Sequence, residues 1–199
     1  MKKSKLSVGR FLFELFIVFI GVYGAFVLNN YQQREREQKI RESYFVSFRS
    51  ELRQLIGSIR QTENRINNEI EALEKYTDSL KKQPFFPLTL NFKQSLLITQ
   101  AGFNDDVFIQ LSQDLALSLT GGYDFVKSLE QRAERFNALS QNKLSGLSWG
   151  DLFDSQGKLK TEHQWYRREL DILKANFERV GSMMENDAAP FVDRVIDRF

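Results

Sequence analysis

From Phe11 to Leu28 the chain reads FLFELFIVFIGVYGAFVL, eighteen residues with a single charge at Glu14. At ~1.5 Å of rise per residue this stretch would span ~27 Å as a helix, close to the ~30 Å hydrocarbon core of a bilayer. Leu6 and Val8 extend its apolar end. Its all-round hydrophobicity does not suit one member of a soluble bundle. The pattern therefore predicts a transmembrane helix over 11–28, with a cleaved signal peptide as the alternative. Glu14 interrupts the run, and Phe26, Val27 and Leu28 continue it past the small residues that could precede a cut, which favours an uncleaved anchor.

Residues 29–43 are polar on every side and contain neither Gly nor Pro, as a stalk would. From Tyr44 the pattern becomes amphipathic. Tyr44, Phe48, Leu52, Leu55, Ile59, Ile66, Ile70, Leu73 and Leu80 recur at helical spacing until Pro84 and Pro87. An unbroken helix from Tyr31 to Lys81 would be ~75 Å long. Further helices are predicted over Leu88–Gln100, from Asn104 to a stop at Gly121-Gly122, and around Val126, Leu129, Ala133 and Phe136. Residues 145–158 read as a Gly- and Ser-rich loop. Beyond it, Leu159, His163, Tyr166, Leu170, Leu173, Phe177, Val180 and Met184 alternate by four and three, a heptad-like seam. A last helix opens at Pro190 and carries Phe191, Val195 and Phe199. The expected fold is all-α: one transmembrane helix running on into an antiparallel helical bundle over 44–199. Such seams would also serve a coiled coil between subunits.

The formal charge of +2 looks mildly basic until it is located. Lys2, Lys3, Lys5 and Arg10 lie in the first ten residues, with no acid; removing them from the 28 bases leaves 24 against 26 acids. The remainder is nearly neutral, so it lacks the cationic face of a nucleic-acid binder. The basic tail instead argues for a cytoplasmic N-terminus, placing the bulk of the chain outside the inner (plasma) membrane, periplasmic in a Gram-negative cell.

Chemistry is sparse. There is no Cys, and the one His cannot complete a transition-metal set. His163 falls on the apolar seam, where a core or interface role explains it. Asp151, Asp154 and Gly157 only faintly suggest a calcium loop, because the alternating oxygen ligands and terminal Glu are missing. No phosphate loop, nucleophile elbow or HExxH is present, so no catalytic residue, cofactor or metal is assigned. Within the apolar run, Glu14, Gly21 and Ala25 share one helical face, and Gly21 with Ala25 forms a small-xxx-small pair suited to contact with another membrane helix. Trp149 and Phe153, large apolar residues in the loop, form a second candidate contact surface unless they tuck against the bundle.

Residues Glu14 to Gly21, then Ala25, Asn29-Asn30 and a charged helix, resemble a family of small bacterial membrane-anchored proteins of unknown function. The match extends over 11–55, with Tyr31 where the family pattern has Trp. The resemblance implies a basic start, one membrane helix and a helical outer domain, and it brings no activity with it. The expectation is a non-enzymatic, single-span protein whose outer domain binds another membrane protein or a second copy of itself. A small-molecule-sensing bundle, with a polar pocket near Arg167 or Arg168, is the alternative.

Overall fold

The computed structural model describes residues 8–97, 99 and 113–198, with side chains except at 8–18 and 113–120. The predicted basic tail (1–10) lies largely outside the described residues, as does most of the predicted helix from Asn104. Contacts divide the chain into two units, one ending at Ser43 and the other covering Tyr44–Arg198. One helix, α1, runs Val8–Glu74.

In the first unit the described residues belong to α1, and from Phe19 to Ser43 no described side chain is buried. The polar segment after Leu28 is helical, steadied by i,i+4 contacts such as Lys39–Glu35 at 2.8 Å and Gln33 donating to Glu37 at 3.1 Å. Among the described residues no helix is long and apolar enough to cross a membrane, and the side chains of 11–18 lie outside them.

The second unit is all-α. Its core stripe on α1 comprises Phe45, Phe48, Leu52, Leu55, Ile59, Thr62, Ile66, Ile70 and Leu73. Thr62 is tolerated inside because its hydroxyl donates to the Ser58 carbonyl at 2.8 Å. The helix ends at Glu74 rather than at Lys81. Thr77 takes an extended conformation, and a 3-10 turn follows over Asp78–Leu80. This early end lets Tyr76 stack on Phe153 with centroids 4.0 Å apart.

The predicted helix over Leu88–Gln100 is a correction. Residues 84–96 form an extended strap, with helical geometry only at 97 and 99. Leu90 and Phe92 are buried while Thr89, Asn91 and Lys93 face solvent, the two-residue alternation of an extended chain. Only its start meets another extended segment, where Pro84 bridges Ser148 and the Phe85 N–H donates to the Leu147 carbonyl at 2.8 Å; beyond that point, among the described residues, helix side chains supply its backbone partners. The Leu88 N–H donates to the Tyr166 hydroxyl at 2.8 Å. Asn137 accepts from the Leu90 N–H and donates to its carbonyl, both at 2.8 Å. The Gln94 N–H donates to Glu130, the Thr99 N–H to Glu51, and Arg65 to the Thr89 carbonyl. Arg65, Ser58 and Glu51, seven residues apart on α1, meet Thr89, Gln94 and Thr99 in turn. The strap therefore descends antiparallel to α1 and occupies the place of a bundle helix.

The next helix, α2, runs Gln113–Leu144 without a break at Gly121-Gly122, joining two predicted helices into one. Val126, Leu129, Ala133, Phe136, Ser140 and Leu144 are its described buried positions. A single-turn helix, α3 (Trp149–Leu152), interrupts the predicted loop and leads to α4 (Gln164–Met183). Every seam residue from Tyr166 to Met184 is buried, whereas Leu159 and His163 precede α4. α4 runs antiparallel to α1, since Tyr166 meets Glu69 while Gly181 lies against Ile59. A π-helical turn, Met184–Ala188, then rephases the chain into α5 (Ala189–Ile196). That turn explains why Val192, rather than Phe191 or Val195, is the buried residue of α5.

Candidate functional site

Three of the residues singled out from the sequence lie on α1 of the first unit. Glu14 belongs to its backbone, but its side chain lies outside the described residues. Gly21 and Ala25 are exposed, and a Cβ added at Gly21 or Gly24 would meet nothing within 4 Å. Around them Phe19 and Tyr23 stack with centroids 6.4 Å apart. Val22, Phe26 and Leu28 are each more than half exposed (66%, 62% and 58%).

Trp149 and Phe153 sit in the second unit at the end of the bundle where α1 stops. Ser148 and Asp151 form a capping box that starts α3 and fixes both rings. Phe153 is buried and stacks on Tyr76; Trp149 is half-buried, stacked on Tyr76 and edge-on to Phe85 at 5.0 Å. Both rings thus pack inward. The aspartates of the same loop hold its backbone: Asp151 accepts from the Ser148 N–H and hydroxyl, and Asp154 from the N–H groups of Gln156 and Lys158. These bonds keep both carboxyls below the usual carboxylate range. Among the described residues no group of three or more His, Asp or Glu is placed to hold a metal ion.

Several other ionisable groups are paired, some of them across elements. Arg167 pairs with Glu74 at 2.7 Å and with Asp171 at 3.2 Å, so it is engaged at the surface rather than lining a pocket. His163 lies 3.9 Å from Glu162. Arg60 grips Glu185 with two nitrogens, at 2.7 and 2.5 Å, and Glu63 with the third, at 2.7 Å, joining α1 to the π-helical turn. Inside the bundle, the fully buried Tyr166 donates to Glu69 at 2.8 Å while accepting from the Leu88 N–H. Burial pushes the Glu69 carboxyl above its ordinary value, opposed by its hydrogen bonds. Burial likewise pushes the Tyr166 phenol up, reinforced by the nearby Glu69 charge. This pair can hold a proton and a strap; among the described residues no third group converges on it to make a catalytic constellation.

The feature that sequence reasoning missed is a cavity of about 800 Å³ in the second unit. Phe48, Leu52 and Leu55 of α1, Val126 of α2, Met184 and Val192 form its apolar wall, together with Gly121 and Gly122. Thr99 and Glu51 also line it but satisfy one another: Glu51 Oε1 accepts from the Thr99 N–H at 3.0 Å and from its hydroxyl at 2.6 Å. Its signal in the sequence was a glycine pair inside an apolar helical repeat, which read as a helix stop.

The fold defines this unit as an all-α bundle with an apolar cavity. No family model, curated protein or solved structure matches the chain.

Proposed function

We propose that this chain is a non-enzymatic, single-span membrane protein. Residues 11–28 form the span, the N-terminus is cytoplasmic, and the bundle outside the membrane binds a partner protein or a second copy. The observation that carries this reading is the exposure of α1 in its first unit. Large apolar side chains from Phe19 to Leu28 lie open around the helix, and none of them is buried by the described residues. Leaving such surface in water costs about 25 cal/mol per Å², a cost removed by lipid or by another membrane helix. The charge split between tail and remainder supports the orientation, and the likeness of residues 11–55 to membrane-anchored proteins supports the same topology.

The absence of cysteine gives a direct test. Single Ser4→Cys and Ser155→Cys variants of the full chain would be exposed in cells to a membrane-impermeant maleimide. Labelling at position 155 and protection at position 4 is the expected result; the reverse would overturn the orientation. Release of the protein by alkaline carbonate would overturn the membrane span itself. Contact through Glu14, Gly21 and Ala25 predicts that Gly21→Leu weakens chemical cross-linking to a partner or second copy. Undiminished cross-linking removes that face from the proposal.

A further inference from the structure

The cavity asks for an occupant, and the glycine pair in its wall says what kind of space is being kept. Gly121 and Gly122 lie within α2, where each costs about 1 kcal/mol relative to Ala. Neither has the positive φ that would require glycine; among the described residues only Gly146 and Gly157 have one. Close packing does not require them either. A Cβ at Gly121 would meet nothing within 4 Å, and one at Gly122 only the Met184 methyl, at 3.5 Å. Neither backbone geometry nor contact accounts for the pair, but both residues line the cavity, where any larger side chain would project into it.

The wall also restricts the ligand's chemistry. Thr99, which is buried, and Glu51, which is half-buried, already bond one another. Among the described residues, the buried side-chain oxygens without a hydrogen bond are Ser140 Oγ and Asp193 Oδ1, the latter ion-paired with Arg49 at 3.6 Å, and neither residue lines it. Among the described residues, no buried side-chain donor or acceptor in the wall is left without a partner to ask for a polar ligand. The rim carries Arg194 and Asp187, both exposed and of opposite charge, so it selects for neither an anionic nor a cationic head. Met183 and Met184 supply unbranched, adaptable side chains. A volume of this size is that of a small-ligand site.

We infer that the cavity is a binding site for one hydrocarbon chain of a membrane lipid, with the lipid head left at the rim. The inference rests on the membrane reading above. The Arg60–Glu185 clamp fixes the π-helical turn that forms one side of the site, and α5 supplies Val192 to the wall.

The test uses the full chain in phosphatidylethanolamine–phosphatidylglycerol vesicles containing stearic acid with a diazirine midway along its chain. After irradiation, the labelled peptides are mapped by mass spectrometry. The expected labels fall on peptides containing Phe48–Leu55 and Met183–Val192, in addition to residues 11–28. Gly122→Leu fills the space while improving helix propensity, so it should fold and lose the bundle labels by about tenfold. Gly122→Ala restores propensity without filling the space and should retain them. Labels confined to 11–28 would overturn the cavity inference and leave the anchor standing. Labels on the bundle alone would support the cavity while overturning the anchor. Absence of both would overturn both. Equal labelling of Gly122→Leu and the parent chain, or equal loss in Gly122→Ala and Gly122→Leu, would also overturn it.

Discussion

Replacing Tyr166 with Phe removes one oxygen and leaves the aromatic packing in place. The ring stacks on Phe136 at 5.5 Å and stands edge-on to Phe85 at 5.8 Å, and both contacts survive the change. What disappears is the hydroxyl that joins α1, α4 and the strap: its donation to Glu69 and its acceptance from the Leu88 N–H, each 2.8 Å long. A hydrogen bond to a carboxylate contributes about 1.5–3 kcal/mol, and an unpaired buried N–H costs about 1–3 kcal/mol. Glu69 is not fully enclosed and can recruit water, so Tyr166→Phe should cost about 3 kcal/mol near neutral pH. The loss should depend on pH. Burial holds the Glu69 carboxyl above its ordinary value of 4.5, while the Tyr166 bond pulls it down. A carboxyl raised on folding favours the protonated folded state, so its penalty is absent below 4.5 and grows as pH rises through the folded value. Removing the hydroxyl raises that value further. The deficit of Tyr166→Phe should therefore be smallest near pH 4 and widen towards pH 7. Urea unfolding of the detergent-solubilised chain, followed by the fluorescence of Trp149 and Trp165, reads this end of the bundle directly. In a Glu69→Gln background the widening should vanish. A deficit below about 0.5 kcal/mol, or one that does not change with pH, would refute the reasoning.

Three further substitutions test other parts of the packing. Asn137→Leu leaves the N–H and carbonyl of Leu90 without their partner and should cost about 2–4 kcal/mol in urea unfolding, with protease cleavage appearing first within the strap. Gly181→Leu places a Cβ 3.1 Å from Ile59 Cγ2 and 3.4 Å from the Arg60 guanidinium carbon, where α1 and α4 approach closely. It should destabilise by about 1–3 kcal/mol, read as a lowered melting temperature. Ser140 is fully buried and its hydroxyl has no partner, so Ser140→Ala should be neutral or stabilising by up to about 1 kcal/mol. A clear loss in that variant would mean that the hydroxyl is bonded after all.

The two long amphipathic patterns were legible because burial against one core is what writes them. Phe48, Leu52, Leu55, Ile59, Ile66, Ile70 and Leu73 are buried on α1, and Tyr166 to Met184 along α4. The strap was illegible for a different reason. Its alternation is short, and nothing local shows how an unpaired extended backbone could be buried without a neighbouring strand. The answer lies in single side chains 36 to 78 positions away, Tyr166, Asn137, Glu130 and Glu51. Their polar character reads in sequence as an ordinary solvated helix face. The cavity was hidden by the same kind of ambiguity: a glycine pair has one local meaning, a helix stop, and one tertiary meaning, an absent side chain. Only the continuity of α2 through Gly121 and Gly122 selects the second.

Strap and cavity also bear on each other. Thr99, whose N–H and hydroxyl both bond Glu51, follows the strap's lower end and is part of the cavity wall. Leu96, the last buried residue of the strap, lines the same space. A continuous helix over Leu88–Gln100 would advance only ~1.5 Å per residue, about half the reach of an extended chain, and could not carry both Phe85 to the aromatic end and Leu96 to the cavity. The extended form thus follows from the distance that the chain must cover in few residues, and its cost is a backbone that borrows partners from three helices. A variant that loosens those partners, such as Asn137→Leu, should for this reason disturb the cavity as well as the strap. Acyl labelling on Phe48–Leu55 should then fall even though no residue of the wall has changed.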